Sequence, residues 1–86
     1  MSAAMVEEIR RRLSEALLPV ELEIFDEGHK HAGHANAGKG HYHVRIVSAA
    51  FAGQLPIERH RMVYVALDGL MDNGIHALSI DAIQDK

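Results

Sequence analysis

The apolar residues of this chain recur with a period near four, then two, then two again, then near four, and finally two. That succession limits the fold to helix, strand, strand, helix, strand. Met5, Ile9, Leu13 and Leu17 form the first stripe, with Val6 and Ala16 beside it and Glu7, Glu8, Arg10, Arg11, Arg12 and Glu15 elsewhere. This reads as an amphipathic helix that Ser2 can cap, that pairs Glu7 with Arg11 and Glu8 with Arg12, and that Pro19 stops. Val20, Leu22 and Ile24 alternate with Glu21 and Glu23 as a first strand, and Tyr42, Val44 and Ile46 alternate with His43, Arg45 and Val47 as a second. Antiparallel pairing of the two would set Glu21 and Glu23 near His43 and Arg45, a ladder of opposite charges.

Pro56 opens a second helical pattern, with Ile57, His60, Val63, Tyr64, Leu67, Leu70 and Met71 on one stripe and Asn73 and Gly74 at its end. Residues 76–83 then alternate as a third strand, with Leu78, Ile80 and Ala82 on one face. A right-handed crossover through the second helix makes this strand parallel to the second. The expected fold is α+β, a three-stranded mixed sheet with both helices on one face, and 86 residues are enough for one such domain, 1–86, and no more.

With 48% apolar and 24% charged residues the chain has the composition of a folded domain. Cysteine is absent, which excludes disulfides, thiol nucleophiles and any all-thiolate metal centre. The longest apolar run, residues 62–67, is far short of the ~18 residues a membrane span needs. Residues 1–8 lack the features of a secretory signal, so the expected location is cytoplasmic. A formal charge of −3 argues against non-specific coating of nucleic acid. No GxSxG or Walker loop is present, and GKGH at 38–41 lacks the Walker frame, so an enzyme is not expected.

The chemistry of the chain lies in its seven histidines, which on full protonation would carry the charge from −3 to +4. Between the first two strands lies EGHKHAGHANAGKG, residues 27–40, longer than the two to five or so residues of a usual hairpin loop. It holds His29, His31 and His34 as HxHxxH, and His41 and His43 add HxH in the second strand. Neutral imidazole ligates zinc, copper, iron and nickel, and a loop converges on an ion more easily than a strand. The plainer alternative is a hydrophilic loop that chelates adventitiously. His76 shares parity with Leu78 and Ile80 and should face the helices as a half-buried core residue. His60, on the apolar stripe, reads as a packed, hydrogen-bonded imidazole. Arg59 and Arg61 near the start of the second helix stand at the positive end of its dipole and ask for an anion, such as phosphate or acidic side chains, unless both are surface side chains.

Residues 51–80, FAGQLPIERHRMVYVALDGLMDNGIHALSI, resemble the signature of BolA proteins through Phe51, Gly53, Arg59, His60, Arg61, Val63, Tyr64, Leu67 and the run from Ile75 to Leu78. Asp26 and Glu27, the histidine loop, His41 and residues 44–48 extend the resemblance over nearly the whole chain. The resemblance implies a class II KH-like fold, in the order α-β-β-α-β. It also implies association with stress response and transcription regulation, and pairing with a monothiol glutaredoxin and glutathione to share a [2Fe-2S] cluster. By that resemblance the metal ligands are His76 and a loop histidine, His31 or, in competition with it, His34. Because the chain has no thiolate, the remaining ligands must come from the partner. The alternative implied by the family is a DNA-binding regulator acting through the KH-like face with Arg59, His60 and Arg61. Against it stand the negative charge and the missing GxxG loop, for which only Gly53 is present in FAGQ.

Overall fold

In the computed structural model, which describes residues 2–27 and 40–85, the chain runs through α1 (Ser2–Leu17), β1 (Glu21–Asp26), β2 (His41–Ser48), a short 3-10 turn (Ala49–Phe51), α2 (Pro56–Ala66) and β3 (Ala77–Gln84). Strand order is β1-β2-β3, with β1 antiparallel and β3 parallel to the central β2. The α+β mixed sheet expected from the alternation is therefore the fold.

The even residues of β2, Tyr42, Val44 and Ile46, are buried against Ile9, Leu13 and Leu17 of α1 and Val63 and Leu67 in and just after α2, so one core joins both helices to the same sheet face. Phe51 completes it from the 3-10 turn. Ser48 is fully buried and uses its hydroxyl twice, donating to the Leu17 carbonyl and accepting from the Ala50 N–H, so it fastens the end of α1 to the turn. No helix among the described residues is long and apolar enough to cross a membrane.

Four local expectations are corrected. Val20 lies before β1 and is 61% exposed, because α1 ends through Leu18 in the left-handed region (φ 46°), forced out of the helix by Pro19. On α1, Glu8 bonds both Arg11 and Arg12, and Glu7 lies 3.7 Å from Arg10 instead of pairing with Arg11. The helix also takes in Ser2, the residue expected to cap it. α2 stops at Ala66, and residues 67–74 continue as turns with Gly69 at φ +85°, although Leu67 and Leu70 stay in the core.

The buried stripe of α2 is also turned by one residue from the expected one. Arg59, Met62, Val63, Ala66 and Leu67 face inward at spacings of three and four, whereas Ile57, Tyr64 and His60 face out. Apolar residues occupy more than one side of this helix, so periodicity alone places Val63, Leu67 and Leu70 in the core correctly and Ile57, His60 and Tyr64 on the wrong side.

Candidate functional site

The antiparallel β1–β2 hairpin brings both ends of the histidine-rich segment to one edge of the sheet, where the Glu27 N–H donates to the His41 carbonyl at 2.8 Å. The parallel β2–β3 pairing brings the start of β3 to the same edge, with Ala77 opposite His41. His76 stands there, just before the strand. Its N–H donates to the Gly40 carbonyl at 2.8 Å, and the Ala77 N–H donates to the same oxygen at 3.1 Å. The His76 and His41 rings lie with centroids 5.5 Å apart and planes 20° from parallel.

His76 is exposed, not packed under the helices as strand parity suggested. β3 begins only at Ala77, and the chain reaches His76 through Gly74 at φ +141°, so the inward row starting at Leu78 does not extend back to position 76. Gly40 sets the spacing. It has φ +70°, and a Cβ there would fall on the Gly74 carbonyl and 2.8 Å from the His76 nitrogen. Only glycine allows the base of the loop to lie directly on the residue 74–76 backbone. On the other side, the Met5 Cε of α1 fills the space that a Cβ on Gly74 would need.

His31 and His34, like His29, lie outside the described residues. Among the described residues no group of three or more His, Cys, Asp or Glu side chains is placed to hold a metal ion. At this edge they offer the imidazoles of His41 and His76, donors suited to iron, zinc or copper but too few for a complete coordination shell.

The outer sheet face carries the expected charge ladder in part. The Arg45 guanidinium donates to Glu21 at 2.9 Å and to Glu23 at 3.3 Å, and Glu21 is the leading cause of the rise of the Arg45 pKa above its usual value. His43 is not part of that ladder: its Nε2 lies 3.0 Å from Asp81 Oδ2, and its ring meets Phe25 at 5.9 Å.

At the start of α2, Arg59 is directed into the fold. It donates from Nε to the Gln54 carbonyl at 3.0 Å and from Nη1 to the Ala82 carbonyl at 3.3 Å. The positive end of the helix is answered internally, since Glu58 accepts from the Leu55 N–H at 2.8 Å. His60 and Arg61 are exposed, Arg61 beside the groove between α1 and α2. The structure thus brings His76 to the base of the histidine loop and separates Arg59 from Arg61. Gly40 was not identified from sequence, and the available signal was its position directly before an HxH pair at the end of a long loop.

Residues 13–86 match the family model described as BolA-like protein. The chain is 44% identical over 81 residues to SufE-like protein 1 of Arabidopsis thaliana, covering 86% of this chain but 22% of that protein. It is 46% identical to chloroplastic BOLA1 of the same plant, covering 84% of this chain and 48% of that one. An uncharacterised Sinorhizobium protein encoded in the cobS 5' region is 40% identical over 91% of this chain and 88% of its own length. Among solved structures, the BolA domain of Arabidopsis SufE1 superposes with a TM-score of 0.83, covering 93% of this chain and 91% of that one at 44% identity. Mouse BolA1 gives 0.78 at 38% identity, covering 92% of this chain and 63% of that one. With its sheet order, its helix placement and its sequence all in agreement with these proteins, the chain belongs to the BolA family.

Proposed function

We propose that the chain is an accessory protein of iron–sulfur trafficking or iron-linked regulation that pairs with a monothiol glutaredoxin and glutathione and co-ligates a [2Fe-2S] cluster. His76 is one ligand, and a loop histidine, His31 or His34, is the other. The observation that supports this reading is the exposed His76 imidazole, bonded through its own backbone to Gly40 at the base of the histidine loop. The donor set fits such a role and no larger one: imidazoles without thiolates complete a centre whose sulfur ligands come from the partner. An imidazole in place of a thiolate lowers the negative charge around the cluster and raises its reduction potential.

The test is reconstitution of the chain with a monothiol glutaredoxin, glutathione, iron and sulfide under anaerobic conditions. The visible circular dichroism of the mixed complex should differ from that of the glutaredoxin homodimer, and His76→Ala should abolish the difference. If His76→Ala, His31→Ala and His34→Ala all leave the spectrum of the mixture unchanged, the ligand assignment is wrong. The DNA-binding alternative is left with Arg61 and His60, because the guanidinium of Arg59 is already bonded to two carbonyls of its own chain.

A further inference from the structure

The two edges of the sheet are built differently. β1 presents Glu21, Glu23 and Asp26 within six residues, a run of carboxylates of the kind that keeps an edge strand from pairing. β3 is eight residues long and carries one charge, Asp81, which lies 3.0 Å from His43. Its hydrogen bonding is alternate. The N–H groups of Ala77 and Asp85 donate to Gly40 and Ser48 of the β2 side, so odd-numbered residues of β3 turn their peptide groups toward β2. Leu78, Ile80, Ala82 and Gln84 direct theirs to the open edge. Among the described residues no strand pairs there, and one of these groups, the Ala82 carbonyl, is taken by Arg59. The side chains of Leu78, Ile80 and Ala82 are half-buried, whereas those of the central Tyr42, Val44 and Ile46 are buried, so the inner row of β3 stays partly open at this edge.

We infer that β3 pairs with β3 of a second copy of this chain, antiparallel about a twofold axis at Ile80, to make a continuous six-stranded sheet. The occupant is chosen by self-complementarity. With Ile80 facing Ile80 of the second copy, Ser79 faces Asp81, a hydroxyl donor against a carboxylate, and Leu78 faces Ala82, large against small. Ala77 then faces Ile83, which is 38% exposed in the single chain. The register one step along sets Asp81 against Asp81, a like-charge pair. The next sets Ile80 against Gln84. Shifted one step the other way, Ser79 faces itself and Asp81 faces Ala77, so only the Ile80-centred register sets a side-chain donor against Asp81, and the second lone pair of the Ala82 oxygen leaves the Arg59 bond in place. One strand pair buries less than a standard interface, so the dimer is weak and reversible.

The experiment uses the whole chain. Sedimentation equilibrium should show the mass rising from one chain toward two between about 10 µM and about 1 mM. Over that range, amide exchange at Leu78 and Ile80 should slow several-fold while Ser79 and Asp81, bonded to β2 in both states, stay unchanged. Because the chain contains no cysteine, single cysteines report the register. Ser79→Cys mixed with Asp81→Cys should cross-link under mild oxidation by oxidised glutathione, since facing positions of a non-hydrogen-bonded pair lie at about 4.5 Å between Cα atoms, within disulfide reach. Either variant alone should cross-link several-fold less. A single-chain mass up to about 1 mM, or equal exchange at Leu78 and Ile80 at both ends of the range, overturns the pairing. Cross-linking by Asp81→Cys alone overturns the register.

Discussion

Replacing Gly40 with alanine tests whether the base of the loop is fixed by its contact with residues 74–76 or merely by a local turn. An L-residue at φ +70° costs about 1–2 kcal/mol in backbone strain. The added Cβ also meets the Gly74 carbonyl and the His76 nitrogen, which are backbone atoms and cannot rotate aside. Relief requires the two chain segments to part, which gives up the His76 and Ala77 N–H bonds to the Gly40 oxygen, each worth about 0.5–1.5 kcal/mol. The expected total is a loss of about 3 kcal/mol. Gly53 is the internal control: it has φ +75° and nothing within 4 Å of its Cβ position, so Gly53→Ala should lose only the strain. The smaller entropy of the unfolded alanine chain offsets both substitutions alike and drops out of the comparison. Urea unfolding followed by far-ultraviolet circular dichroism should place the Gly40→Ala midpoint about 1–2 M below that of Gly53→Ala, given about 1 kcal/mol per molar urea for a domain of this size. In the same variant the ring-current shifts that His41 and His76 impose on each other should collapse. Equal midpoints for the two variants, or unchanged histidine shifts, would refute the contact as the element that positions His76.

Arg59→Ala should lower stability by about 1–3 kcal/mol, because two carbonyls lose a charged donor, whereas Arg61→Ala should stay within about 0.5 kcal/mol; thermal unfolding of the two variants decides it, and similar melting temperatures would show that the Arg59 bonds contribute nothing. Burial, and then the Asp26 carboxylate, push the Tyr42 hydroxyl above its ordinary value of 10. The folded chain therefore favours the neutral phenol, and the corresponding stability is complete below pH 10 and lost as the pH rises through the higher folded-state value. Tyr42→Phe should remove this alkaline loss, so urea midpoints measured from pH 8 to about pH 11 should fall less steeply than in the parent, and parallel declines would show that Tyr42 is not the titrating group.

The strands were the most legible part of the sequence, because β1 and β2 alternate over a sheet with one buried face and a one-residue slip would expose Tyr42, Val44 and Ile46 together. The Glu–Arg ladder followed from the same register. α2 was harder. Ile57, Tyr64 and Val65 are apolar but exposed, so the pattern supports more than one helix face, and Arg59, for which the sequence allows an anion ligand or a surface side chain, ties α2 to β3. His76 was placed by extending the alternation of β3 one residue too far. The place of Gly40 before the HxH pair marks it only as the end of a loop, since the atoms that exclude a side chain there come from residues more than thirty positions away.

That long-range contact follows from the chain path. A hairpin returns β2 to the sheet edge where β1 ends, so the histidine segment opens and closes at one place. Were β3 antiparallel to β2, its last residues would lie at that edge and His76 would lie at the far one. The crossover through α2 makes β3 parallel, so the residue before it arrives beside the residue before β2, and the His76 N–H meets the Gly40 oxygen. Two histidines thirty-five positions apart thus become neighbours without either being part of the core, His41 half-buried and His76 exposed, while backbone bonds hold the segments that carry them. The same geometry sets the donors: His41 opens β2 and His76 precedes β3, and the Asp26 carboxylate ends β1 beside them. In a chain without cysteine, the iron–sulfur centre proposed for this edge would be shared by construction, and its retention would depend on the concentration of whatever supplies the thiolates.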